Sequence, residues 1–366
     1  MRITFCHKTA NRSGGNRVVA QYADRLVRRG HEVSVVTGPE ATPGLRRRAR
    51  LTVRSVLAGN GLPRFVKYPA SMLDEMPYIR HHRVAEARPF VDADFPDADV
   101  VVATWWETAE WIARLSPAKG KKVYFIQGHE STIDGMPAAR VEATLDLPLY
   151  PITIAEFLVA HLKERHGRTD VALVPNSVDL SRFDAPARGK STRPTVVCLY
   201  TGEARIKGFD VTMAALFEVK LRVPDLRVVC FGTQAPPPGF FPSFVEYHRD
   251  PAQDEIPRLY ASADVYAHGS RVEGFGLPIL EAMACRTPVV ATPAGAAPEL
   301  LREGRGRMIT TPDASEMARA LVEVLTMPEP AWRALSLRAY THAHGYTLDD
   351  AAARYEAALE HARASS

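Results

Sequence analysis

The sequence has no long apolar run, few cysteines and little net charge. No segment reaches the ~18 consecutive apolar residues of a membrane-spanning helix, so none is predicted. The segment Met1–His7 predicts a strand and lacks the apolar stretch of a signal peptide, which leads us to expect a cytoplasmic protein. A net charge of +4 is too small to indicate a nucleic-acid partner.

The four cysteines are scattered, without a CxxC pair or a metal-binding spacing. Cys6, Cys198 and Cys230 lie in apolar, strand-like runs, where a thiol behaves as a small apolar side chain. We therefore expect buried, reduced thiols rather than disulfides or metal ligands.

The chain of 366 residues is long enough for two domains of ordinary size. In the first half, a strand at Ile3–Cys6, a helix over Val18–Arg29 and a strand at Glu32–Val36 form one β-α-β unit. Such units imply a parallel sheet. Gly14 and Gly15 precede the helix, where a phosphate could approach backbone N–H groups, although a tight turn is an equally simple explanation.

The second half repeats the alternation of strands and helices after a polar, proline-containing linker at Phe183–Pro194. The sequence therefore predicts an α/β protein with two doubly wound parallel-sheet domains, over residues 1–180 and 195–345. Residues 346–366 predict a helix. Two such domains facing each other leave a ligand cleft between the carboxyl ends of their strands.

One stretch stands out at the junction of a buried strand, Ala263–His268, with a helix in which Pro278 is predicted at the first position. Its glycines would leave N–H groups free beside the start of the helix, where an anion is favoured. Glu273 lies in the loop and Glu281 about one turn into the helix, so the two carboxylates can face one ligand. Ionised carboxylates accept hydrogen bonds only, which suits the hydroxyl groups of a sugar.

The stretch from Arg271 to Cys285 closely resembles the donor-site signature of the retaining glycosyltransferases of family four, the group 1 glycosyltransferases. The resemblance covers nearly the whole chain and is strongest over 264–299. It implies the GT-B architecture, two Rossmann-like domains around a cleft, with the last helix crossing back to the first domain. It also implies transfer of a hexosyl group from a nucleoside-diphosphate sugar to an acceptor hydroxyl with retention of configuration, UDP-sugars being favoured and GDP-mannose next.

The resemblance also assigns roles to individual residues. Lys207 and Arg205 would clamp the diphosphate, Glu273 would hold the sugar hydroxyls, and His129 would contact the donor sugar. The other expected donor-binding residues are Gly14, Gly15, Phe275, Gly276, Leu277 and Glu281, of which Glu281 would bind the ribose. The acceptor would be a sugar, a lipid-linked molecule or a small molecule.

No essential metal is expected. Asp92 and Asp94 have the spacing of the metal-binding motif found in the other glycosyltransferase architecture. They lie beside Pro96 on the way into a strand, which predicts a loop instead.

Three positions depart from the family pattern. Glu203 stands where the family commonly has an arginine, which leaves open whether Arg205 replaces it. Ser177 replaces a glycine in the hinge-like segment Pro175–Asp179. Arg286 replaces a glycine after the signature helix, where a left-handed backbone would penalise a side chain.

The segment Arg46–Arg54 places five arginines among apolar residues. This pattern is compatible with contact to the inner face of an anionic membrane, with an acceptor-binding loop and with a solvated surface. Two other functions also fit the sequence: a GT-B enzyme such as a nucleotide-sugar epimerase or a phosphorylase, and a non-catalytic sugar-nucleotide sensor or scaffold.

Overall fold

A computed structural model describes residues 1–11, 13–40, 68–202 and 205–365. Two parallel sheets dominate it. The first has seven strands in the order β3-β2-β1-β4-β5-β6-β7. These strands are β1 (Arg2–Thr9), β2 (Glu32–Gly38), β3 (Arg80–Arg83), β4 (Val100–Ala103), β5 (Lys121–Ile126), β6 (Tyr150–Thr153) and β7 (Ala172–Leu173).

Helices cover both faces of this sheet, so its central strands are continuous apolar runs. All four residues of β4 are buried, and Ile3 of β1 pairs with Val33 on one side and Val100 on the other. Among its described residues, the helices of this half are α1 (Gly14–Arg28), α2 (Trp106–Ile112), α3 (Ala138–Leu145) and α4 (Glu156–His166).

The second sheet has six strands in the order β10-β9-β8-β11-β12-β13. Its strands are β8 (Thr195–Leu199), β9 (Arg227–Gly232), β10 (Val245–Arg249), β11 (Val265–His268), β12 (Val289–Ala291) and β13 (Arg307–Met308). The helices are α5 (Phe209–Arg222), α6 (Ile256–Ala261), α7 (Leu277–Ala284), α8 (Ala297–Leu301), α9 (Ala314–Thr326) and α10 (Glu329–Ala343). The predicted α/β class with two doubly wound parallel sheets is confirmed.

The last helix, α11 (Leu348–Ala364), packs against the first sheet domain rather than the second. The ring of Tyr355 stacks on Tyr22 of α1 at 4.5 Å between centroids and meets Phe125 of β5 edge-on at 5.1 Å. Tyr355 is fully buried. The chain therefore crosses between the domains twice, and its end completes the core of the domain in which it began.

Two local predictions need correction, whereas a third agrees with the structure. Pro278 is the second helical residue of α7, not the first, because Gly276 is the N-cap. The helix α1 begins at Gly14, so the two glycines form its first turn rather than a preceding loop. Asp92–Asp94 forms a short 3-10 turn in which Asp94 pairs with Arg88, in agreement with a structural loop.

Arg286 has a φ of 59°, which is the left-handed backbone conformation that penalises a side chain at this position. Its guanidinium compensates by lying 3.6 Å from the centre of the Tyr340 ring and by donating to the Ala185 carbonyl at 2.8 Å. Ser177 does not have a positive φ, so its turn does not require a glycine.

All four cysteines are free and buried, as predicted for Cys6, Cys198 and Cys230. Within the described ranges, the helices are either too short or too polar to cross a bilayer. The segment Arg46–Arg54 lies outside the described residues.

Candidate functional site

A continuous cleft of three adjoining cavities runs between the two sheet domains. The cavity volumes are about 440, 390 and 280 Å³. The second and third share Arg17 and Leu277. The residues common to the first and second are Gly15, Gln127, Lys207, Glu273 and Gly274. The cleft lies at the carboxyl ends of strands from both sheets, where a ligand was predicted.

Glu273 lies where the first two cavities meet. Its Oε1 accepts hydrogen bonds from Lys207 Nζ at 2.8 Å and from Ser270 Oγ at 2.7 Å. Burial would raise the pKa of Glu273, but His268, Lys207 and Ser270 together hold this pKa below its ordinary value. Glu273 is therefore an ionised acceptor paired with a cation at the centre of the cleft.

His268 lies behind this pair, at the end of β11. Its Nε2 is 3.7 Å from Glu273 Oε1, and its Nδ1 is 3.1 Å from the Tyr266 hydroxyl. Burial lowers the pKa of His268, and Lys207 adds to this effect while Glu273 opposes it. Burial and Lys207 therefore favour the neutral imidazole, whereas the Glu273 carboxylate favours the protonated one.

Two helices direct their N-termini at the second cavity. Gly14 and Gly15 begin the first turn of α1. Phe275 and the N-cap Gly276 lead into α7, which begins at Leu277, and all five residues line this cavity. The left-handed backbone of Gly276, with φ 97°, turns the chain from the loop into α7. Free N–H groups and two helix dipoles make this cavity suited to an anion such as a diphosphate.

Several buried polar atoms at the second cavity have no hydrogen-bond partner among the described residues. They are Gln127 Oε1, Asn176 Oδ1, Thr201 Oγ1 and His268 Nε2. Buried polar groups are nearly always paired in folded proteins, so a group of unpaired ones around one cavity indicates a polar ligand.

Glu281 does not share a cavity with Glu273. It lines the third cavity, where its Oε1 accepts from Arg17 Nη2 at 3.2 Å and its Oε2 from the Tyr260 hydroxyl at 3.2 Å. Burial raises the pKa of Glu281, whereas Arg17 and Tyr260 lower it. The two carboxylates therefore face neighbouring parts of one cleft, not a single pocket.

Arg205 does not join Lys207 at the cleft. It lies in the 3-10 turn Arg205–Lys207, is exposed, and is not among the residues that line the three cavities. Its carbonyl accepts from Arg271 Nη1 at 2.8 Å. In such a tight turn, side chains two positions apart point in different directions, which separates Arg205 from Lys207.

His129 lies at the wall of the first cavity, in the predicted position at the end of β5. Its Nε2 is 2.9 Å from Glu142 Oε1. Burial would raise the pKa of Glu142, but hydrogen bonds from Ser131, His129, His161 and His166 lower it to about 2. The sequence did not indicate this cluster, because each member lies singly in an ordinary helix or loop.

Other cleft residues were also missed. Arg17 reaches the second and third cavities from α1, and Lys8 and Asn16 line the first. Trp105 and Trp106 were not missed, because their place after a buried strand predicts that they either stack on a sugar or cover the end of the sheet. In the structure Trp106 is buried and Trp105 lines the first cavity. One feature of the sequence could have predicted that Arg17 lines the cleft. It lies three residues after Gly14, within the first turn of a helix whose N-terminus was predicted to face the ligand.

Comparison with known families and proteins agrees with this geometry. Residues 12–182 match the family described as Glycosyltransferase Family 4, and residues 193–327 match Glycosyl transferases group 1. A mannosyltransferase of Mycolicibacterium smegmatis, named GDP-mannose-dependent alpha-(1-6)-phosphatidylinositol monomannoside mannosyltransferase, is 35% identical over 63% of this chain and 69% of its own length. A D-inositol 3-phosphate glycosyltransferase of Thermobifida fusca is 26% identical over 97% of this chain and 91% of its own length.

Solved structures show the same fold. HepE of Anabaena, determined with UDP and glucose, superposes with a TM-score of 0.72 at 16% identity, covering 99% of this chain and all of that one. Sucrose-phosphate synthase of Thermosynechococcus elongatus superposes with a TM-score of 0.70 at 17% identity, covering 99% of this chain and 98% of that one. At these identities, the likeness concerns the fold alone.

Proposed function

Because the chain belongs to the group 1 glycosyltransferases of family 4, we propose that it transfers a hexosyl group from a nucleoside-diphosphate sugar to an acceptor hydroxyl with retention of the anomeric configuration. Its two facing domains have the GT-B architecture of these enzymes. The observation that carries the proposal is the Lys207–Glu273 pair at the junction of the first two cavities.

In this assignment the diphosphate occupies the second cavity. Lys207 and the N–H groups of the first turns of α1 and α7 stabilise the charge that builds on it as the bond to the sugar breaks. Fixed donors aimed at developing charge are commonly the largest catalytic contribution. Arg205 is left out because its side chain lies outside the cleft.

The sugar lies between the two cavities. Glu273 accepts hydrogen bonds from the sugar hydroxyl groups, and backbone N–H groups of Phe275–Leu277 donate hydrogen bonds to them. His129 contacts the sugar from the opposite domain. Glu281 holds the ribose hydroxyls in the third cavity, which requires the ribose to displace Arg17 from this carboxylate.

The acceptor enters the first cavity, between Lys8, Asn16 and Trp105. Its hydroxyl oxygen attacks the anomeric carbon on the face that the diphosphate leaves. Its proton passes to the departing diphosphate oxygen, so no protein nucleophile is required. This front-face substitution conserves the anomeric configuration.

The donor and acceptor are proposed by class. The name of the 35%-identical relative makes GDP-mannose the first donor to test, and the UDP in the structure of HepE makes UDP-glucose the second. Inositol phosphates and inositol glycolipids are the first acceptors to test.

The experiment is transfer from each donor to this acceptor panel, with the anomeric linkage of the product read by NMR. Acceptor-dependent formation of an α-linked product from an α-linked donor supports the proposal. An inverted linkage would refute retention. Conversion of the donor without acceptor indicates an epimerase, and donor binding without turnover across the panel indicates a sensor or scaffold.

The basic segment Arg46–Arg54 extends the proposal to peripheral membrane contact, since a lipid-linked acceptor would require it. Flotation with anionic and neutral liposomes tests this extension. Binding to anionic vesicles that persists after the arginines of the segment are replaced by glutamine would contradict it.

A further inference from the structure

Three histidine side chains surround one carboxylate beside the cleft. His161 Nε2 lies 2.9 Å and His166 Nε2 lies 3.0 Å from Glu142 Oε2, while His129 Nε2 lies 2.9 Å from Glu142 Oε1. The rings of His129 and His161 are 4.1 Å apart between centroids. The residues come from three elements: the loop after β5, α3 and α4.

We propose that His129, His161 and Glu142 form a binding site for a zinc-class transition-metal ion. One ligand atom from each lies within 4.8 Å of the others. Two ligand atoms around one tetrahedral zinc ion are about 3.3 Å apart, given zinc–ligand distances of about 2.0–2.1 Å. Small side-chain rotations therefore bring all three ligands to one ion.

The set of ligands fits such an ion chemically. Two imidazoles and one carboxylate with a fourth position open to water is a recurrent zinc arrangement. Imidazole ligands favour zinc and its neighbours over magnesium, which prefers oxygen. A neutral imidazole that gives its Nε2 to a metal keeps its proton on Nδ1.

The surroundings supply what a metal ligand needs from its neighbours. His166 donates to Glu142 Oε2 and is itself held through Nδ1 by Asp146 Oδ1 at 2.8 Å, while the Ser131 hydroxyl donates to Oε1. Hydrogen bonds of this kind orient a ligating carboxylate. A cavity of about 10 Å³, enough for about one water-sized sphere, adjoins all three ligands.

The site is also accessible. The side chains of His129 and Glu142 are 25% and 31% exposed, so an ion can enter from solvent. A bound ion would tie the loop that carries His129 to α3 and α4, and would thereby fix this histidine at the wall of the first cavity. This consequence goes beyond the proposed transfer reaction and does not depend on it.

The test is calorimetric titration of chelator-treated, dialysed protein with ZnCl₂. We expect one tight equivalent in the wild type and none with MgCl₂. His161→Gln keeps an N–H within reach of Glu142 but removes a ligand, so the affinity of this equivalent should fall by at least about 100-fold. His248→Gln is the control, because His248 forms a surface pair with Glu246 at 2.8 Å and should bind as the wild type does.

Cobalt gives a second, spectroscopic measurement. The wild type loaded with Co²⁺ should show the visible absorption of a four-coordinate ion, and His161→Gln should lose it. Circular dichroism establishes that the variant is folded, and Glu142→Gln replaces it if it is not. Absence of a stoichiometric equivalent in the wild type, or an equal affinity in His161→Gln, would leave a purely hydrogen-bonded cluster and overturn the proposal.

Discussion

Arg17 Nη2 lies 3.2 Å from Glu281 Oε1, and this contact joins the first helix of one domain to a carboxylate of the other. Tyr260 supports the same carboxylate from behind, from within the core. A ligand that binds Glu281 must therefore exchange with an interdomain ion pair. In the proposed assignment of Glu281 to the ribose, donor binding is thus coupled to the relative position of the domains through this side chain.

Glu281→Ala should weaken binding of the nucleotide sugar by about tenfold or more, since hydrogen bonds to a charged group contribute about 1.5–3 kcal/mol each. Calorimetry of donor binding measures this effect. Tyr260→Phe is the matched control, because it removes one support but keeps the carboxylate, and it should have a smaller effect. An unchanged donor affinity in Glu281→Ala would remove Glu281 from the ribose site.

Lys207→Ala should reduce kcat by about two orders of magnitude or more, because it removes a fixed cation beside the leaving diphosphate. The fold should persist, since Glu273 retains its hydrogen bond from Ser270. Steady-state turnover of the donor gives the measurement. Arg205→Ala, at the exposed end of the same turn, is the comparison and should change kcat far less. Wild-type turnover in Lys207→Ala would exclude it from the mechanism.

The sequence predicted the two sheets because parallel strands buried on both faces are apolar runs, as in β4 and β12. It did not predict β3, whose four residues, Arg80–Arg83, are all basic. This strand lies at the edge of its sheet and is largely exposed, so its pairing with β2 leaves no apolar signal.

The parts of the candidate site formed by residues close together in the sequence could be predicted, and the contacts between residues far apart in the sequence could not. Glu273 and Gly276 could be placed because they belong to one strand–turn–helix unit. The partner of Glu281 in the same unit could not be placed, since Arg17 lies 264 positions away in the other domain. The direction of a side chain across a cleft depends on the relative position of the two domains, and a short sequence motif carries no information about that position.

Glu299 should make stability depend on pH near neutrality. Burial and the neighbouring Glu156 carboxylate raise the pKa of Glu299 from 4.5 to about 7, against a hydrogen bond from the Glu156 N–H and the charge of Arg302. A carboxyl with a raised folded-state pKa stabilises the fold fully below its unfolded pKa of 4.5 and loses this contribution as the pH rises through about 7.

Unfolding by urea from about pH 5 to about pH 8 checks this dependence. Glu299→Gln mimics the protonated form, so its stability should fall less over this range than that of the wild type. Glu360→Gln, on an exposed position of α11, is the control and should follow the wild type. Parallel curves for the wild type and Glu299→Gln would show that Glu299 titrates equally in both states.

Gly274 lies against the backbone of Gln127 in the opposite domain. A Cβ atom on Gly274 would lie 2.1 Å from the backbone oxygen of Gln127 in the opposite domain, and a backbone atom cannot move aside as a flexible side chain can. Gly274→Ala should therefore widen the cleft and lower donor turnover while both domains remain folded. Small-angle scattering should report a larger radius of gyration.

Gly128→Ala is the matched control for scattering, because its Cβ would meet Gly274 at an ordinary 3.4 Å. If Gly274→Ala scatters and turns over donor as the wild type does, the contact is relieved locally and the width of the cleft is set elsewhere.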